Sequence, residues 1–261
     1  MVRIAKNPTE LKKRVLRFFD PQGARKPLAK FIESLSSKSE VLVFGGCVRD
    51  IALYGVKLFS SDIDLVYTGS SDELARVLER MKCEYELTQN KFGGYRTVVK
   101  NWDVDLWAIE TTWAFKKGYV QYHSINSLLD TTITNWDAIF YKWNESEIVC
   151  RDQYFTDMND GYLSLNLYRN PNVIGCLVRI LRFYFMKKAT LFSPDIRQFI
   201  IEKFEGRNVE DIVRYEVKAY PRDRYLNFNN VTNFIEAIKR GNNELIPTLL
   251  EPKNTTKDMF Q

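Results

Sequence analysis

The segment 41–67 constrains this chain more than any other. Val41-Leu42-Val43-Phe44 is a wholly apolar run, the pattern of a strand buried on both faces. It enters Gly45-Gly46, and Cys47 to Tyr54 behind the glycines reads as a helix ending near Gly55. A second apolar strand, Ile63 to Tyr67, follows, introduced by Asp62 and carrying Asp64. Residues two apart on a strand share a face, so Asp62 and Asp64 project together with Cα atoms roughly 6.6 Å apart. Bare amides at a glycine-opened helix start can hold phosphate. Mg2+ takes oxygen ligands, commonly one or two carboxylates plus substrate phosphates. The two halves of the segment together suit a site where a nucleoside triphosphate meets divalent metal.

A D-x-D pair alone would say little. With 16 Asp in 261 residues, roughly one such pair is expected by chance, and Asp103-Val104-Asp105 is a second. Context raises the signal. Asp105 lies between Val104 and Leu106 on a later strand, where a third carboxylate can join the first two. Two metal ions held about 4 Å apart by such a cluster activate an attacking hydroxyl and stabilise a leaving pyrophosphate.

Around this segment the periodicity changes twice. Residues 8–38 predict two helices. The first starts at Pro8-Thr9 with the stripe Leu11, Val15, Leu16 and Phe19; Pro21-Gln22-Gly23 breaks it, and Leu28, Phe31, Ile32 and Leu35 line the second. Asp72 to Met81 predicts an amphipathic helix. Alternation then gives strands at Glu84–Leu87, Tyr95–Val99 and Val104–Trp107, and a hairpin from Ile139–Lys142 to Glu147–Cys150. From about 152 the β signal stops, and helices are expected at Val173–Met186, Pro194–Phe204, Val209–Ala219, Val231–Lys239 and Glu244–Leu250. The expected organisation is a helical lead-in over 1–40 packed on an α/β head over 41–151, then a helical region over 152–261.

Charge follows the same division. Residues 1–40 carry 10 Lys+Arg against 4 Asp+Glu, residues 41–161 carry 12 against 18, and residues 162–261 carry 16 against 11. An acidic site between basic flanks, which include Lys187-Lys188 and Arg222-Asp223-Arg224, suits a polyanionic partner such as RNA. The lone histidine, His123, leaves little for zinc or for a His-based triad and reads as a structural or surface residue. Cys47, Cys83, Cys150 and Cys176 form no CxxC pair and read as buried free thiols. No stretch is long and apolar enough for a membrane span, and the first residues lack a signal-peptide core, so a cytoplasmic location is the expectation.

Gly45-Gly46-Cys47-Val48-Arg49-Asp50 followed by Asp62-Ile63-Asp64 resembles the GGxVRD and DxD signature of the polymerase-β-like nucleotidyltransferases. Within them the match is to the branch of bacterial poly(A) polymerases and class II CCA-adding enzymes. Phe92-Gly93-Gly94-Tyr95-Arg96-Thr97-Val98-Val99 with Val104-Asp105-Leu106 is similar to the strand pair ending in that family's third carboxylate. Thr132-Ile133-Thr134-Asn135 looks like a degenerate FTxNA ribose segment, and Leu177 to Phe183 looks like the family's neck helix, which typically reads RxxRF.

The resemblance implies an α+β fold: a nucleotidyltransferase head of mixed or antiparallel sheet with flanking helices, followed by an all-helical neck and body. It implies that Asp62, Asp64 and Asp105 hold two Mg2+ or Mn2+ ions, Asp105 helping to activate the acceptor hydroxyl. Gly45, Gly46, Arg49 and Asp50 would serve the triphosphate, with Thr132, Asn135, Arg179 and Arg182 around the nucleotide. It implies ATP or CTP as substrate, a hydroxyl acceptor such as the 3′ end of a tRNA or other small RNA, and pyrophosphate as product.

The departures concern base reading and RNA gripping. Where the family has paired arginines before its ribose segment, this chain has Leu128-Leu129-Asp130. Where it has an arginine before a glutamate, this chain has Ile109 before Glu110, and the neck's acidic base-selecting position falls among Gly175, Cys176 and Leu177. The helical remainder is also short. A non-RNA acceptor therefore stays open, either a protein side chain or a nucleotide made into a signal.

Overall fold

The computed structural model describes residues 3–57, 59, 61–221 and 223–241; the helix expected at 244–250 and Arg222 lie outside them. By its contacts the chain divides after Asn159 into two compact units.

In the first unit, α1 (Pro8–Phe18) is started by Asn7, whose side chain accepts from the Glu10 amide, and by Pro8 in the first turn. Its inward face is Leu11, Val15 and Phe18. Leu16, expected in that stripe, is 47% exposed, because at about 100° per residue it sits more than a third of a turn from the Leu11–Val15–Phe18 line. The second helix, α2 (Lys26–Leu35), buries Leu28, Phe31, Ile32 and Leu35. Then come β1 (Val41–Phe44), α3 (Gly46–Tyr54), β2 (Ile63–Tyr67) and α4 (Ser71–Met81). The strand expected at 84–87 is instead a turn off the end of α4: the Glu84 and Tyr85 amides both donate to the Met81 carbonyl, and the Tyr85 ring packs edge-on against Phe31. Only β3 (Thr88–Gln89) pairs with β4 (Tyr95–Val99), which pairs with β5 (Trp102–Ala108).

A short helical turn α5 (Trp113–Lys116) and three 3-10 stretches lead from β5 to β6 (Ile139–Lys142) and β7 (Glu147–Cys150), and α6 (Tyr154–Asp160) follows. Together the seven strands form one mixed sheet in the order β3-β4-β5-β2-β1-β6-β7. Every neighbouring pair is antiparallel except β2 with β5, which run parallel. The pleat sorts its side chains. Val41, Val43, Ile63 and Leu65 are fully buried on one face. On the other, Leu42, Val66 and Phe140 form a cluster with Ile109, Leu128, Leu129 and Ala138, against which Phe44 and Trp107 pack. That second core covers only part of its face, and Asp64 and Asp105 stand on the remainder.

The second unit holds α7 (Val173–Lys187), α8 (Pro194–Phe204), α9 (Val209–Ala219) and α10 (Phe228–Lys239). It also holds a strand pair missed in the sequence, β8 (Tyr162–Leu163) parallel to β9 (Leu191–Phe192); two-residue strands are too short to show a period. No helix among the described residues is long and apolar enough to cross a membrane.

Candidate active site

The turn from β1 into α3 is made by Gly45, at φ 59° and ψ −117°, a combination open to glycine alone. Its amide donates to the Ile139 carbonyl of β6 at 2.8 Å, and its carbonyl accepts from the Arg49 amide at 3.0 Å. The amide of Gly45 is thus spent on the sheet, and the amides that open α3 begin at Gly46. Helix geometry gives the first-turn N–H groups of Gly46, Cys47 and Val48 no intrahelical acceptor. A Cβ on Gly46 would come no closer than 3.5 Å to any atom, the nearest being Arg49 Nη2. The fold therefore does not require glycine there; the missing side chain leaves the helix start bare.

Beneath this turn lies a buried charge cluster. Arg49 Nε donates to Asp50 Oδ1 at 2.7 Å, and its Nη1 makes a short hydrogen bond to Asp137 Oδ1. All three side chains are at most 7% exposed. Burial opposes the charge on Arg49, and the two carboxylates outweigh burial and raise its pKa. The second oxygen of Asp50 accepts from Ser61 Oγ, the residue before Asp62. Arg49 and Asp50, read as triphosphate residues in the sequence, thus tie the glycine turn to the carboxylate strand and to the segment around Asp137. The Cys47 thiol, pushed up by burial and then by Asp50 and Asp64, is neutral and part of the packing.

The register of the sheet assembles the carboxylates. Asp64 pairs with Phe44, the residue before Gly45, and on its other side with Asp105 of the parallel strand β5. Asp64 and Asp105 therefore stand level on adjacent strands and share a face, with Asp62 two residues upstream on the same side. Asp62 reaches solvent, yet its pKa is raised by desolvation and then by Asp103 and Asp105, with Arg96 opposing. Crowded negative charge of that kind is what a divalent cation relieves, and an all-oxygen donor set suits Mg2+ or Mn2+. Among the described residues no three side chains are yet drawn together as a metal-ligand group. On its β4 side Asp105 is engaged by its partner Arg96, which donates Nε to Oδ1 at 2.7 Å and Nη2 to Oδ2 at 2.5 Å.

The remaining expected residues fall in two places. Thr132 and Asn135 are buried on the strap leading to β6. The Thr132 hydroxyl is within hydrogen-bonding distance of the Leu129 and Thr134 carbonyls, at 3.1 and 3.0 Å, and the Asn135 amide donates to Asp157 at 2.8 Å. Both are engaged in holding the strap. Arg179 and Arg182 lie on α7 of the second unit. Arg179 is exposed. Arg182, expected at the nucleotide, is instead buried: Nη1 donates to Glu216 Oε1 and to the Asp223 carbonyl, both at 2.6 Å, and the guanidinium lies 3.8 Å from the Tyr220 ring centroid.

The departures noted in the sequence are structural positions. Leu128, Leu129 and Ile109 belong to the second core, Asp130 pairs with Arg151, and Glu110 accepts from the Ser71 amide and hydroxyl at the start of α4. A Cβ on Gly175 would meet the side chains of Asn172 and Tyr215, which hydrogen-bond each other across the start of α7 and would have to shift to admit one. None of the four cysteines forms a disulfide. Cys83 is exposed and Cys150 half-buried, however, against the expectation that all were buried, since both sit where an element ends. His123 is exposed, as a surface residue. The residues missed in the sequence are Asp137, Arg96 and Glu216. Asp137 lies 88 positions from Arg49, beyond the reach of any local pattern, whereas Arg96 was legible in principle from its facing position in the β4–β5 pair.

No family model matches the sequence, and no curated protein matches it. Solved structures do. A tRNA-processing enzyme superposes with TM-score 0.58 at 15% identity over 82% of this chain and 56% of its own. A CCA-adding enzyme in complex with CTP gives 0.55 at 17% identity over 92% and 62%. A tRNA nucleotidyltransferase complexed with a primer tRNA and an incoming ATP analog gives 0.54 at 16% over 81% and 60%. This chain spans less than two thirds of the length of each. At these identities the likeness is one of fold.

Proposed function

We propose that the protein is a metal-dependent nucleotidyltransferase that moves a nucleoside monophosphate from an NTP to a hydroxyl at the 3′ end of an RNA, releasing pyrophosphate. One observation carries the reading: Asp64 and Asp105 stand level on adjacent parallel strands, beside the strand that ends in the glycine turn of α3. Asp62, Asp64 and Asp105 would hold the metal, which supplies activation of the acceptor hydroxyl and charge neutralisation at the phosphates. The first-turn amides of α3 would receive phosphate oxygens next to those carboxylates. Ser61, fixed by Asp50, sets the start of the carboxylate strand, and the Arg49–Asp137 pair holds the turn rigid. Phe44 and Trp107, packed edge-on with centroids 6.2 Å apart, form an apolar wall on the same face.

RNA is favoured as acceptor by the basic segments at 1–40 and 162–261 flanking the acidic middle, and by the structural neighbour complexed with a primer tRNA. A non-RNA acceptor is the second reading. It is favoured by the arginine positions that in this chain are Leu128, Leu129 and Ile109, all buried in the second core. Incubation with Mg2+, each α-labelled NTP and a pool of small RNAs separates the two. Label in RNase-sensitive product supports RNA; label in protein or small products that survive RNase selects the alternative. No transfer under conditions where the protein binds NTP excludes both.

A further inference from the structure

We propose that Arg96 is a phosphate-binding residue of the nucleotide site, parked on Asp105 until metal takes that carboxylate. The inference rests on the nucleotidyltransferase reading and adds a residue that the motif does not include. Arg96 and Asp105 are direct partners across β4 and β5, so both side chains project from the face that carries Asp64. The fork of Arg96 occupies both oxygens of Asp105, the ones a metal ion would need. A divalent ion there and a guanidinium on the same carboxylate repel one another, so loading the site displaces the arginine.

The displacement is cheap. The side chain of Arg96 is 58% exposed and that of Asp105 is 26% exposed, and a solvent-facing pair of this kind contributes little net stability. Once released, the guanidinium stays on the carboxylate face, within the field of Asp62, Asp103 and Asp105. A metal-bound triphosphate brings phosphate oxygens into that field, and the planar fork matches them bidentately. Arg49 and Arg182, two of the three other arginines singled out for the nucleotide, are buried in carboxylate pairs. Arg96 thus exchanges one anion for another: a carboxylate in the empty site, phosphate in the loaded one.

Two binding measurements on the full chain test this, with circular dichroism to confirm folding of each variant. Mn2+ affinity without nucleotide is read by electron paramagnetic resonance, and affinity for an α,β-methylene NTP analogue at saturating Mn2+ by calorimetry. Arg96→Gln should bind Mn2+ on the order of threefold to tenfold more tightly and the analogue roughly tenfold more weakly; Arg96→Lys, a cation without the fork, should fall between wild type and Arg96→Gln in both. Unchanged or weaker Mn2+ binding in Arg96→Gln, or unchanged analogue binding, overturns the exchange. The Asp62→Asn/Asp64→Asn protein separates the two levels of inference. Mn2+ binding lost in that variant but unmoved in Arg96→Gln overturns the role of Arg96 alone. Wild-type Mn2+ binding in it overturns the metal reading and the exchange with it.

Discussion

Replacing Arg182 distinguishes a structural arginine from a nucleotide-binding one. Glu216 is fully buried and its carboxylate is held by three groups: Arg182 Nη1 at 2.6 Å, the Leu226 amide at 2.8 Å and the Tyr225 amide at 3.1 Å. Arg182→Met keeps the two amides and removes the only cation that the described residues place at hydrogen-bonding distance from that carboxylate. Breaking one side of a buried pair leaves an uncompensated charge and costs about 3–5 kcal/mol. With a urea slope of about 2 kcal/mol/M, the midpoint should fall by about 2 M. The probe must be far-UV circular dichroism, because all five tryptophans (102, 107, 113, 136 and 143) lie in the first unit. Pairing Arg182→Met with Glu216→Gln removes the stranded charge while leaving an acceptor for the Leu226 amide. The double variant should therefore be more stable than Arg182→Met alone by at least about 1 kcal/mol. A midpoint unmoved by Arg182→Met, together with a tenfold higher KM for NTP, would refute the structural assignment.

Further outcomes follow from the first unit. Gly45→Ala forces a side chain into a glycine-only conformation and should cost about 1–3 kcal/mol, read by tryptophan fluorescence in urea. Gly46→Ala meets no clash and should keep that stability while weakening NTP binding, measured by calorimetry; an equal loss of stability contradicts the assignment of its amide to phosphate. Asp62, with its pKa raised, takes up protons at a higher pH than an ordinary aspartate. Mn2+ affinity should accordingly start to fall at a higher pH than an ordinary aspartate would give as pH is lowered, and titrations at several pH values check it. Glu110 shows the opposite sign. Its pKa is lowered by the Ser71 hydroxyl and amide, so its contribution is present above the unfolded value and lost as pH falls through the lower folded one. Glu110→Gln should flatten that part of the acid stability curve.

What was legible in the sequence was local. The glycine turn, the D-x-D strand and the β4–β5 pair are short patterns whose period fixes which side chains share a face, and the sheet brings Asp64 and Asp105 level accordingly. The parallel pairing of β2 with β5 was not legible, since it joins strands some forty residues apart. Nor were the partners of the arginines. Arg49 and Arg182 read as cations beside a motif, and only the tertiary structure supplies Asp137 and Glu216, which turn them into buried clamps. Leu16 and the turn at 84–87 failed for a simpler reason: an apolar or alternating pattern was present, and packing used a different line of residues.

Nucleotidyl transfer by the Asp64→Asn protein, compared with wild type across a Mg2+ titration, tests the carboxylate site most directly. Label from an α-labelled NTP should appear in acceptor with wild type and depend on Mg2+. It should fall at least about a hundredfold in Asp64→Asn, with the circular dichroism spectrum and urea midpoint preserved. Transfer that persists in a folded Asp64→Asn protein, or that proceeds equally in excess chelator, would contradict a metal-dependent site built on Asp62, Asp64 and Asp105.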